Sequence, residues 1–166
     1  MVNYKDVPMA VGKMRVYDFG DIKLHAYQTN DPIDDEVFVI EKNKRAVVIE
    51  LPCFKNNIEE LTKYIDSNGI RVEGKMIAYH AAGSSFIPNV KNYGTKTSID
   101  YNSVGGGKAL IENFTGAFGD AFDCGIPSID EIMTPGKVNI AGIEMNIVST
   151  PDAYNIEIES IKSVYI

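Results

Sequence analysis

The chain has 166 residues and a mass of 18.3 kDa, with 45% hydrophobic and 23% charged residues, which fits one soluble globular domain with a sizeable core. Its 16 Lys and Arg residues are scattered among 23 Asp and Glu for a formal net charge of −7, which argues against a nucleic-acid partner, since phosphate binding needs clustered basic residues. Apolar runs such as residues 45–51 are too short to span a bilayer, residues 1–8 lack a signal peptide's apolar core, and Cys53 and Cys124 have no CxxC spacing; the expectation is a cytoplasmic protein with no membrane contact, disulfide framework or structural zinc.

Four consecutive strands are predicted over residues 14–19, 22–28, 36–41 and 46–51. Each is short, rich in β-branched or aromatic residues, and bounded by turn residues such as Gly20-Asp21 and Asn30-Asp31-Pro32. They read as an antiparallel meander. In the second, Ile22, Leu24 and Ala26 alternate with Lys23, His25 and Tyr27, which predicts one buried and one wetter face.

The period changes over residues 56–69, where Ile58, Leu61 and Ile65 recur at helical spacing. Asn56 or Asn57 can cap the start, Glu59 and Glu60 suit the helix dipole, and Asn68-Gly69 supplies a left-handed stop. Residues 72–80 then read as a buried strand and residues 90–93 as a short one; a strand-helix-strand crossover makes the flanking strands parallel.

Residues 108–118 form a second predicted helix, with Leu110, Ile111 and Phe114 on one face and Gly105-Gly106-Gly107 as its entry. Residues 138–148 read as a hairpin turning at Ala141-Gly142, because glycine accepts the positive φ of a tight turn. Residues 156–166 are strand-like with no closing helix, and their open edge predicts either a homo-oligomer contact or a chain cut short. No repeat, low-complexity tract or linker divides the chain.

The most informative stretch is residues 75–86, an apolar run that delivers His80 to a strand tip and continues only in small residues, including Ala82, Ser84 and Ser85. In chain order, a meander ends at Glu50, a helix follows, and a strand runs into Ala78-Tyr79-His80-Ala81-Ala82-Gly83-Ser84-Ser85; next come a helical segment and a glycine-turn hairpin leading to Val148-Ser149-Thr150-Pro151. This order resembles the N-terminal half of the metallo-β-lactamase superfamily, in which an acidic residue ends the fourth strand and a Thr-His-x-His-x-Asp-His motif follows. Glu50 matches the acidic position, Tyr79 the Thr, His80 the first metal His, Ala82 the second, Ser84 the Asp and Ser85 the third His. The family's Pro-Gly-His-type turn falls near residues 150–155, with Asp152 or Ala153 in place of the histidine.

The resemblance covers residues 17–158. It implies an α/β fold, an αββα sandwich present as its first half plus a few strands. Residues 1–166 would form a single metallo-β-lactamase-like domain lacking the C-terminal part, which in the family supplies a further Asp and a final His.

A hydrolytic zinc site needs about three protein ligands and one open position. The chain has two histidines. His25 lies mid-strand on the face read as wetter and is expected to be an ordinary surface or half-buried residue. His80 is the one candidate metal ligand; a single imidazole holds zinc weakly, so no resident cofactor is expected and the bland alternative for His80 is one loop hydrogen bond.

The acidic groups Asp34, Asp35 and Glu36, and Asp120, Asp123, Asp130 and Glu131, lack calcium-loop spacing and read as solvated loop charge. Ser84 and Ser85 have no Gly-x-Ser-x-Gly elbow around them. Gly105-Gly106-Gly107-Lys108 has Asn102 where a phosphate loop needs glycine and Ala109 where it needs a hydroxyl, so it reads as a helix entry. Cys53, just past Glu50, is positioned to line the same cleft as His80 and reads as buried packing.

The cleft candidates are therefore Glu50, Cys53, His80, Ser84, Ser85 and Asp152. Two functions stay open. One is a non-hydrolytic protein that binds a small molecule or a protein partner in the vestigial cleft. The other is a metal-dependent hydrolase with a minimal or subunit-shared zinc site. The fold selects no substrate.

Overall fold

The computed structural model describes residues 3–79 and 82–166. Its first sheet has eight strands in chain order: β1 (Asn3–Val7), β2 (Lys13–Asp18), β3 (Ile22–Gln28), β4 (Glu36–Lys42), β5 (Arg45–Ile49), β6 (Arg71–Met76), β7 (Asn92–Thr95) and β8 (Glu131–Met133). Strands β1 to β5 pair antiparallel, and β5 to β8 pair parallel. The change of sense follows from the connections. Short turns suffice up to β5, whereas α1 (Lys55–Ser67) returns the chain so that β6 enters beside β5 in the same direction.

Between β7 and β8 lie α2 (Lys96–Val104) and α3 (Gly106–Phe118). The second sheet contains β9 (Gly136–Ile140), β10 (Ile143–Ser149), β11 (Tyr154–Ile158) and β12 (Ser163–Tyr165), all antiparallel, in the order β12-β11-β10-β9.

The two sheets pack face to face. Ile40, Val47, Ile49 and Met76 of the first meet Ile143, Met145, Ile147 and Ile156 of the second. On the other face of the first sheet, α1 lays Ile58, Leu61 and Ile65 against Val39, Ala46, Val48 and Val72. The parallel core strands are apolar on both faces for this reason. The outer face of the second sheet carries Glu144, Val148, Glu157 and Val164, all exposed.

Several expectations match the structure. The meander, the β5-α1-β6 crossover and the left-handed stop at Gly69 (φ 63°) are present, and the β9–β10 hairpin turns on Ala141 (φ 58°) and Gly142 (φ 78°). Other details differ. Helix α1 starts after Phe54 with no side-chain cap, because Asn57 is buried and its amide donates instead to the Tyr27 hydroxyl and the Thr29 carbonyl. Strand β6 ends at Met76 rather than running on to residue 80. The C-terminal stretch is two strands, broken by a 3₁₀ turn at Glu159–Ile161 and left-handed Lys162 (φ 51°).

In strand β3, Ile22 is buried as expected, but the residues from Leu24 to Tyr27 reverse the expected faces. His25 and Tyr27 are 4% and 0% exposed beneath α1, while Leu24 and Ala26 are half-buried, where the narrower second sheet stops short. Polar side chains tolerate this burial because each finds partners. Tyr27 donates to Glu60 at 2.8 Å and accepts from Asn57 at 2.9 Å; His25 lies 2.8 Å from the Tyr64 hydroxyl and 3.0 Å from Glu41. Lys75 is buried likewise, its ammonium donating to the carbonyls of Phe86 and Ile87 at 2.7 and 2.9 Å. That contact brackets the loop leading away from residues 82–85.

Candidate functional site

The candidate residues gather where the C-terminal tips of β5 and β6 meet the second sheet and the α2–α3 pair. Glu50 follows β5 in a left-handed conformation (φ 61°), which aims its side chain back into the sandwich, where it is 4% exposed. Its N–H donates to the Met76 carbonyl at 2.9 Å. Its Oε1 accepts from the Tyr79 N–H at 2.9 Å and from the Tyr165 hydroxyl at 2.8 Å. One carboxylate thus joins the chain leaving β6 to β12 of the other sheet. Burial first, then the Glu50 charge, pushes the Tyr165 and Tyr154 phenols up, which keeps both protonated.

Cys53 is 5% exposed, with its Sγ 3.6 Å from the Leu51 carbonyl. Burial, and then the negative charges of Asp35, Glu50, Asp31 and Asp123, push its thiol far up. A thiol held protonated this firmly is a poor nucleophile and a poor metal ligand. Ala82 packs with Cys53, Phe54, Ile111 and Phe122. Helix α3 seals this cluster: Phe118 meets Phe54 edge to face at 5.1 Å between centroids, and Phe114 meets Phe122 at 5.8 Å. The space left among Cys53, Tyr79, Ala82, Asn102 and Ile111 is about 10 Å³, room for one water.

Ser84 and Ser85 are held on the chain that follows α3. The Ser84 N–H donates to the Gly125 carbonyl at 3.1 Å, and the Ser85 N–H and hydroxyl both donate to Asp123 Oδ2, at 2.8 and 2.7 Å. Gly83, just before them, has φ 82°, and a Cβ there would sit 2.3 Å from the Pro52 carbonyl oxygen. Asp152 is exposed in the β10–β11 turn, whereas its neighbour Ala153 is buried and accepts from the Thr97 hydroxyl of α2 at 3.0 Å. His80, the first metal position of the resemblance, lies outside the described residues.

Of the candidates, then, Cys53 lines the cavity, Glu50 braces the strand tip, Ser84 and Ser85 hold the loop, and Asp152 faces solvent. Asp123 is not plain solvated charge; it also accepts from the Gly125 N–H at 3.0 Å, a local Asx-type turn that the Asp-x-Gly sequence signals. Nothing local marks Tyr165 as a partner of Glu50, 115 residues away.

The side chains at these positions do not fit a hydrolytic zinc. Position 82 offers a methyl and positions 84 and 85 offer hydroxyls, and among the described residues no group of three or more His, Cys, Asp or Glu converges. Among the same residues, no helix is long and apolar enough to cross a membrane.

No protein-family model and no curated protein matches the chain. Solved structures do match it. The BLEG-1 B3 metallo-β-lactamase superposes over 95% of this chain and 68% of its own, with a TM-score of 0.57 at 12% identity. The FEZ-1 metallo-β-lactamase from Legionella gormanii matches over 88% of this chain and 58% of its own, with a TM-score of 0.57 at 15% identity. A metallo-β-lactamase family protein from Thermus thermophilus matches over 84% and 56%, again with a TM-score of 0.57, at 8% identity. The chain thus spans between 56% and 68% of these three proteins. With its paired sheets and its β5-α1-β6 crossover, the chain has the metallo-β-lactamase fold.

Proposed function

We propose that this chain is a non-hydrolytic form of the fold, whose vestigial cleft serves binding rather than catalysis. The carrying observation is that the motif positions beyond His80 are committed to structure. Ala82 fills an apolar cluster, the Ser85 hydroxyl ties a loop to Asp123, and α3 leaves about 10 Å³ where a substrate would need hundreds. With the interior filled, binding takes place at the rim, and a protein segment suits such a surface better than a buried small molecule does.

Metal analysis of the purified protein tests this reading, together with hydrolysis assays on β-lactam, phosphodiester and thioester substrates after zinc loading. The expected result is well under one metal per chain and no turnover above buffer. About one tightly held metal per chain, lost in His80→Ala, would overturn it in favour of a metal-dependent hydrolase with a minimal or subunit-shared site.

A further inference from the structure

A cavity of about 270 Å³ opens on the α1 face of the first sheet, at the opposite end of the strands from Glu50. Its floor is a buried polar relay. His25 Nε2 lies 3.0 Å from Glu41 Oε2, and both side chains are almost fully buried. The Glu41 carboxylate therefore holds the proton on Nε2, and Nδ1 is left to accept the Tyr64 hydroxyl at 2.8 Å. Tyr64 itself lines the cavity. The second oxygen of Glu41 is 3.5 Å from the exposed Lys44 ammonium, which therefore faces both this buried carboxylate and the cavity rim.

The rim is cationic. Lys5 reaches it from β1, Lys23 from β3, and Lys44 from the turn after β4. The one rim carboxylate, Asp18, takes the Gly20 N–H at 2.8 Å. The end of α1 would repel an anion, but the Tyr64 carbonyl there already accepts the Asn68 backbone N–H at 3.1 Å and its side-chain amide at 2.8 Å. In a chain of net charge −7 this is a local inversion of sign around a polar floor.

We propose that the cavity is a binding site for a small oxyanion, a carboxylate or a phosphate, seated among Lys5, Lys23 and Lys44 against the Tyr64 hydroxyl. Binding is coupled to a proton. Protonated His25 donates from both ring nitrogens, so Tyr64 no longer needs to donate to Nδ1 and turns its O–H to the anion. The charges that bear on this step are Glu41, Lys23, Lys44, Lys5 and Asp18, and the site fills more readily as the pH falls.

The test is a proton NMR titration of the full chain with inorganic phosphate and, separately, with acetate, following the His25 ring protons as identified by their loss in His25→Asn. A saturable shift is expected with at least one anion, with a dissociation constant lower at pH 6 than at pH 8. Phosphate alone assigns a phosphate ester, acetate alone assigns a carboxylate, and mutual competition assigns the shared oxyanion chemistry. Lys23→Gln should weaken binding about fivefold, the size of one exposed charge contribution, and the double variant Lys5→Gln, Lys23→Gln should abolish saturation while the thermal midpoint stays within about 2 °C, as for a surface substitution. A shift that grows linearly without saturating, or one unchanged in the double variant, would overturn the proposal.

Discussion

The strongest single tie between α1 and the N-terminal strands is Glu60, and replacing it with Gln isolates charge from shape. Its Oε1 accepts the N–H groups of Ala10 and Val11 at 2.6 and 2.8 Å, and its Oε2 accepts the Gly12 N–H and the Tyr27 hydroxyl, both at 2.8 Å. All four partners are donors. A Gln at this position must turn its amide N–H₂ toward one pair, and the water-facing Ala10 and Val11 are the less costly pair to lose.

Hydrogen bonds to a charged acceptor contribute about 1.5–3 kcal/mol each. Two are lost and two become neutral, and with a discount for solvent access to this half-exposed residue the net destabilisation is about 2–3 kcal/mol. In a domain of this size that lowers the thermal midpoint by about 5–10 °C. The acid limb gives an independent signature. Burial works against ionisation of Glu60, but the N–H groups of Gly12, Val11 and Ala10, with the Tyr27 hydroxyl, outweigh it and hold the carboxyl below its ordinary value. The unfolded chain then binds a proton more readily than the folded one near pH ~4, so the stabilisation is present above that pH and is lost as the pH falls through the folded value. Thermal melts of wild type and Glu60→Gln at pH 7 and pH 3 check both parts. A midpoint difference under about 1 °C at pH 7, or one of equal size at both pH values, would refute the reasoning.

Two further outcomes follow from the same kind of argument. Burial lowers the His25 pKa, helped by Lys23 and Lys44 and opposed by Glu41, so the folded state resists its protonation and stability falls as the pH drops below ~6.5; melts from pH 7.5 to 5 should show a smaller loss in His25→Gln than in wild type. Ala82→His places an imidazole where about 10 Å³ remains, so overpacking of about 1–3 kcal/mol should appear as a lower urea midpoint that added zinc does not restore.

Local sequence carries the elements whose period matches their burial. Ile58, Leu61 and Ile65 mark α1, and Ala141-Gly142 marks its hairpin, because each signal sits within a few residues of its effect. Strand β1 leaves no such signal because Tyr4, Lys5 and Asp6 form an exposed edge with no apolar alternation. Helix α2 is equally silent because its buried positions are Ser98 and Asn102; its capping box of Thr95 with Ser98 is a polar signal easily passed over. The faces of β3 cannot be read locally because the acceptability of a buried His25 depends on Glu41 and Tyr64, which lie on other elements. At the candidate site, order along the chain points to Glu50, Cys53 and residues 82–85. The aromatic face that α3 presses onto them is legible as a helix face, but not as a plug.

Glu50 braces the chain leaving β6 without help from the side chains of residues 82 and 84. The brace is a buried carboxylate with a peptide N–H on one side and a phenol from the opposite sheet on the other, while Asp123 and Lys75 hold the successive residues Ser85, Phe86 and Ile87 of the following loop. None of these contacts involves residue 82 or a side chain at residue 84. Substitutions at those two positions are therefore answerable to packing alone, and Ala82 packs with Ile111 and Phe122. The brace at Glu50 and the packing at residue 82 are therefore separable in this architecture.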